Sequence, residues 1–171
     1  RNFHLLEELA KRLEIKLYLG AEIYLPFKFP ALPFENFTIG NKHVLLLEFS
    51  PLIDTPIFDH VYNLKHQGYQ VVIAHIERYR YLTYDDYSDL KSIGVLFQVN
   101  SSSLFKSPFN RYYKIVRKLL KDRLIDIVAS DSHNLTNRVP NLDKAFQIIK
   151  KNVSLEYAKK ITYDIPLLLL E

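Results

Sequence analysis

The chain has 171 residues, 48% of them hydrophobic and 25% charged, with a net charge of +4 and four glycines, so it can bury a core as one domain and is not a disordered tail. It has no cysteine, which excludes disulfide scaffolds and any thiolate nucleophile. The mild basic excess suits anionic partners such as phosphates, although solvated lysines account for most of it.

In chain order, residues 2–13 (NFHLLEELAKRL) place Phe3, Leu5, Leu6, Leu9 and Leu13 at helical spacing and predict an amphipathic helix with His4 on its surface. IKLYLGAE then alternates Ile15, Leu17 and Leu19 with polar positions, predicting a strand that ends in Gly20, Ala21 and Glu22. Residues 25–34 hold three prolines and three phenylalanines and predict a packed loop, with a lid as the alternative. His43 to Phe49 (HVLLLEF) is a near-continuous apolar run broken by Glu48, as expected of a strand covered on both faces. A glutamate there is costly to bury ionised unless it is paired or binds a metal.

A helix is expected over Pro56 to Gln67, with His60 and His66 on its surface and Gly68 as its cap. The strand Val71 to Ala74 leads into His75 and Arg78, whose planar guanidinium suits a phosphoryl group. Tyr79, Tyr81, Tyr84 and Tyr87 are expected to form an aromatic rim, read as packing rather than base stacking, with a short helix from Tyr84 to Lys91. Val95 to Val99 is a strand that runs into Asn100 and three serines. A basic helix follows from Pro108 to about Asp122. Its charged face is read as solvated, with an acidic partner or membrane surface as the alternative.

The strand Ile125 to Val128 then runs into Ser130-Asp131-Ser132-His133 and a polar loop carrying Asn134, Asn137 and Arg138. Helices are expected from Pro140 and over Leu155 to Ile161, before an apolar C-terminus. Asp131 and His133 offer carboxylate and imidazole to a divalent cation, or form an Asx turn beside a solvated histidine. Five strands whose tips carry Glu, Glu, His, Asn and Asp-x-His predict βα units of a parallel sheet or barrel with ligands gathered at one rim.

LGAEI, LLLEF, AHIERY, QVNSSSL and ASDSHN, followed by Arg138, together resemble the polymerase-and-histidinol-phosphatase (PHP) superfamily. Within it they are most similar to the bacterial manganese-dependent tyrosine phosphatases of capsule and exopolysaccharide synthesis. The resemblance implies an α/β fold, a distorted (β/α)7 TIM-like PHP barrel with a three-metal cluster, here without its first strands. It implies that Glu22 bridges metals, that Glu48 and His75 bind one of them, and that Asp131 and His133 complete the set. Arg78 and Arg138 would be the catalytic, phosphate-holding arginines, with Asn100 beside them at the substrate. The cofactor implied is manganese, with iron or zinc as alternatives.

Two departures accompany the resemblance. Ile76 stands where the family usually has proline, and the family's opening H-x-H pair is not among these residues. The chain begins at Arg1 and contains no methionine, so residues 1–171 are expected to be one PHP-type domain comprising roughly its C-terminal two-thirds. The leading expectation is hydrolysis of phosphotyrosine in proteins by a water activated by divalent ions. The partner implied is a bacterial tyrosine kinase as the phosphoprotein substrate. No nucleic-acid partner is expected, and a homo-oligomer is left open. With no secretory or membrane-spanning segment in these residues, a cytoplasmic protein is expected. Two other readings compete: a histidinol-phosphate or other small phosphomonoester hydrolase, and a non-catalytic binding or scaffold remnant of a PHP barrel. DNA binding by the basic helix is a variant of the latter.

Overall fold

A computed structural model describes residues 2–40 and 42–171. The fold is α/β. Its five strands are β1 (Glu22–Tyr24), β2 (Val44–Glu48), β3 (Gln70–Ile73), β4 (Leu96–Asn100) and β5 (Ile127–Ala129). They form one sheet in chain order β1-β2-β3-β4-β5, and every neighbouring pair is parallel.

Before the sheet stands α1 (Asn2–Arg12), and the crossovers are α2 (Ile57–His66), α3 (Tyr84–Ser92) and α4 (Arg111–Lys121). The first crossover has a 3-10 turn, Phe34–Phe37, in place of a helix, because the prolines of residues 25–34 preclude one. Thr83 caps α3 in a reciprocal box with Asp86, and Asn110 caps α4 by accepting from the Tyr112 N–H. After β5 come α5 (Leu142–Asn152) and α6 (Leu155–Lys159). A π turn, Lys160–Asp164, then leads into α7 (Ile165–Leu170). Among the described residues no helix is long and apolar enough to cross a membrane.

Strand period two sorts the side chains. Leu45, Leu47, Val71, Ile73, Phe97 and Val99 are fully buried in the core that also takes Val61 and Leu64 of α2, Leu90 of α3 and Leu119 of α4. The alternate positions Val44, Leu46, Val72, Gln98, Ile127 and Ala129 face a separate cavity of about 250 Å³, closed on another side by Pro166, Leu169 and Leu170 of α7. The same inner row reaches Glu48 and Asn100 at the ends of β2 and β4 and, past the end of β5, Asp131. Glu22 joins the row through its parallel register with Leu46. Gly40 (φ 64°) passes so close to α7 that a Cβ there would lie 2.6 Å from the Leu170 carbonyl oxygen. Only glycine suits both that conformation and that approach.

The helix expected at the start of the chain is present as α1, and its apolar face is exposed at Leu5, Leu6 and Leu9. Helical periodicity reports amphipathicity but not whether a covering surface is present. Three expectations differ from the structure. The strand expected from Ile15 begins only at Glu22, where a partner in β2 is available at Leu46; Ile15 and Leu19 stay exposed. His60 is buried rather than on the surface, its Nε2 2.9 Å from the Pro26 carbonyl oxygen, because the proline-rich loop folds over α2. Tyr79 and Tyr87 are core residues rather than a rim.

Candidate metal and phosphate site

The start of β1, the end of β2 and the turn after β3 bring Glu22, Glu48 and His75 together. His75 Nε2 lies 2.9 Å from Glu22 Oε1 and 3.2 Å from Glu48 Oε1. One ligand atom from each residue falls within a 4.8 Å cluster. Among the described residues, neither carboxylate pairs with a lysine or arginine. His75 Nδ1 is buried and has no hydrogen-bond partner among the described residues.

This donor set fits a divalent cation. A neutral imidazole with its proton on Nδ1 turns an Nε2 lone pair toward two carboxylate oxygens, and a cation among the three relieves that repulsion. With the proton on Nε2, it satisfies one carboxylate fully at most.

His75 owes its position to the backbone. The chain leaves β3 through Ala74 and takes a left-handed conformation at His75 (φ 33°), then turns through a 3-10 segment, Ile76–Arg78. Holding a non-glycine residue there costs about 1–3 kcal/mol and requires strong local support. Tyr79 supplies part of it: its hydroxyl donates to the Ala74 carbonyl at 2.9 Å and accepts from the Phe49 N–H at 3.2 Å, tying the tips of β2 and β3. Complete burial raises the Tyr79 pKa and keeps the phenol protonated.

A second group sits beside the first. Arg78, Asn100, Asp131 and Arg138 line a polar pocket of about 300 Å³ with Ser102, Ser130, Asn137 and Asn141. Asp131 Oδ2 accepts from Asn100 Nδ2 at 2.8 Å, from Arg78 Nη2 at 3.3 Å and from the Arg138 guanidinium. Partial burial pushes the Asp131 pKa up, but the hydrogen bonds from Arg138 and Asn100 and the charges of both arginines outweigh it. The net shift is below the ordinary aspartate value. Asp131 also lines the cavity of Glu22 and His75, so it stands between the two groups.

Arg138 is presented by a loop wound around one side chain. Asn134 Oδ1 accepts the backbone N–H groups of Thr136, Asn137 and Arg138 at 3.0, 2.8 and 3.0 Å. His133 is exposed, with Nδ1 2.9 Å from the Asp131 carbonyl oxygen, and is outside the Glu22, Glu48 and His75 cluster. The structure therefore gathers three of the five expected metal ligands in one cluster and binds Asp131 to the arginines.

Two buried residues of this region escaped the sequence reading. Gln98 Oε1 accepts the His75 N–H at 2.6 Å. Glu77 Oε1 accepts from the Asn100 N–H at 3.1 Å and from the Ser103 hydroxyl at 2.7 Å, while its Oε2 has no partner among the described residues. Burial raises the Glu77 pKa, outweighing the hydrogen bonds from Ser103 and the backbone. Period two from Asn100 could have flagged Gln98; nothing in the sequence marks Glu77 as buried.

The family model for capsular polysaccharide synthesis, CpsB/CapC, matches residues 2–171. The chain belongs to the CpsB/CapC family. It is 33% identical to tyrosine-protein phosphatase CpsB of Streptococcus pneumoniae over 96% of this chain and 73% of that protein. It is 31% identical to CpsB of Streptococcus agalactiae over 94% of this chain and 71% of that protein. It is also similar to tyrosine-protein phosphatase YwqE of Bacillus subtilis, at 33% identity over 69% of this chain and 50% of that protein.

A CpsB/CapC structure superposes with a TM-score of 0.80 and 25% identity, covering 95% of this chain and 70% of the other. It comes from work on YwqE of Bacillus subtilis and CpsB of Streptococcus pneumoniae, described there as unique metal-dependent tyrosine phosphatases.

Proposed function

We propose that this chain is a metal-dependent phosphomonoesterase that hydrolyses phosphotyrosine in proteins and serves capsular or exopolysaccharide synthesis. The observation that carries the reading is the adjacency of a Glu22, Glu48 and His75 cluster to a pocket with two arginines and Asn100, with Asp131 lining both. The named activities of the CpsB/CapC relatives support the same reading.

Glu22, Glu48 and His75 would hold a divalent metal, with Asp131 and His133 as further ligands as the cluster is completed. Manganese is proposed, iron and zinc being compatible with mixed nitrogen and oxygen donors. When bound, the metal supplies Lewis acidity and a water of lowered pKa. Arg78 and Arg138 hold the phosphoryl oxygens by charge-assisted hydrogen bonds, and Asn100 fixes the geometry between them. Hydrolysis replaces the bond from phosphorus to the tyrosyl oxygen with one to the oxygen of water, and phosphotyrosine becomes tyrosine and inorganic phosphate. No residue of the chain forms a phosphoenzyme thiol ester, since there is no cysteine.

The sequential parallel strand order supports assigning the 171 residues to one (β/α)7 PHP-type barrel domain of which these strands are part. A tyrosine kinase as phosphoprotein substrate and a cytoplasmic location belong to the same proposal. The test is the rate of hydrolysis of a phosphotyrosine peptide and of histidinol phosphate with manganese present. The proposal expects the peptide to be the better substrate and His75→Ala to lose at least about a hundredfold in rate while remaining folded. A His75→Ala variant with full activity contradicts it.

A further inference from the structure

β4 sends Gln98 and Asn100, two residues apart, to the same inner side, and both are buried. Gln98 Oε1 accepts from the backbone N–H of His75 at 2.6 Å, and Gln98 Nε2 donates to Asn100 Oδ1 at 3.0 Å. Asn100 Nδ2 in turn donates to Asp131 Oδ2 at 2.8 Å. The relay joins two non-glycine residues held in the left-handed region, His75 (φ 33°) and Asp131 (φ 50°).

Its polarity is fixed from both ends. A backbone N–H only donates, so Gln98 must turn its oxygen to His75 and its amide NH2 to Asn100. An ionised carboxylate only accepts, so Asn100 must turn its NH2 to Asp131 and its oxygen back to Gln98. Each amide therefore has one orientation compatible with the site, and burial makes the alternative costly.

We propose that Gln98 is a positioning residue for both halves of the site: it holds His75 through the backbone and Asp131 through Asn100. The functional half of this inference rests on the phosphatase reading. A glutamate at position 98 keeps the acceptor for His75 and loses the donor to Asn100. Asn100 then turns its NH2 toward position 98 and faces Asp131 with its oxygen, acceptor against acceptor. A leucine removes both bonds.

The experiment compares wild type, Gln98→Leu and Gln98→Glu by three readouts. These are hydrogen exchange of the His75 amide in the metal-free chain, calorimetric affinity for manganese, and kcat and KM on a phosphotyrosine peptide. Gln98→Leu is expected to speed His75 exchange roughly tenfold and weaken manganese binding by roughly 10-fold to 100-fold. Gln98→Glu is expected to keep His75 protected while raising KM roughly tenfold, as the Asn100 to Asp131 bond is lost.

The glutamate variant, which preserves shape, carries the test if the leucine variant does not fold. Wild-type His75 exchange in Gln98→Leu, or an unchanged KM in Gln98→Glu, overturns the proposal. A wild-type chain without phosphatase activity fails the functional reading alone. In that case, loss of His75 protection in Gln98→Leu still upholds the relay, and unchanged protection overturns it.

Discussion

Arg78 Nη2 and Asp131 Oδ2 stand 3.3 Å apart across the tips of β3 and β5, and Arg138 binds the same carboxylate oxygen. The two guanidiniums proposed to hold phosphate are thus already served by an internal anion. An incoming phosphoryl group competes with Asp131 for those donors.

Asp131→Asn weakens that competition by removing the charge while keeping the shape. The variant is expected to bind inorganic phosphate or vanadate roughly tenfold more tightly than wild type in the metal-free chain, measured by calorimetry. Equal or weaker binding would show that the arginines do not form the anion site.

The same ion cluster has an acid limb. The Asp131 pKa is lowered in the fold, so its stabilising contribution is present above the ordinary aspartate value of about 3.9 and is lost as pH falls through the folded value. Denaturation of Asp131→Asn is therefore expected to depend less on pH below about pH 4 than that of wild type.

Glu77 works in the opposite sense. Its pKa is raised by burial, so the contribution of its neutral form is complete below the ordinary glutamate value of about 4.3 and is lost as pH rises through the folded value. Glu77→Gln keeps the acceptor for Asn100 and Ser103 and cannot ionise. As pH rises above the ordinary glutamate value of about 4.3, its denaturation midpoint should stay flatter than that of the wild-type metal-free chain, and parallel curves would contradict this.

Tyr79→Phe deletes one hydroxyl and leaves the Phe49 N–H and the Ala74 carbonyl without that partner in a buried place. The expected cost is about 2 kcal/mol, or a fall of roughly 5 °C in Tm. Because the hydroxyl braces the turn into His75, manganese affinity should fall as well.

Strands β2 to β5 were legible because buried parallel strands are short and apolar, and each apolar run led into a polar residue; β1 was not, since the alternation from Ile15 to Leu19 precedes the strand, which begins at Glu22. HVLLLEF and QVVIAH announced β2 and β3 within a residue or two of their observed ends. Glu48 was legible for the same reason, as a charge at the end of an apolar run. The polar loop after β5 marked Asp131 and Arg138, but not that one would bind the other, since the loop geometry set by Asn134 is a three-dimensional outcome. Gln98 and Glu77 were missed because their burial depends on what packs over them. His60 went wrong because a distant loop covers it, whereas the helix α1 was legible and only the exposure of its apolar face was not.

The most direct test of the central claim is the metal content per chain after purification without chelator, by elemental analysis of wild type and Glu48→Ala. The account predicts at least one manganese, iron or zinc ion per wild-type chain and a clear loss in the variant. A wild-type chain without bound metal, or a variant that retains all of it, would contradict the assignment of Glu22, Glu48 and His75 as a metal centre.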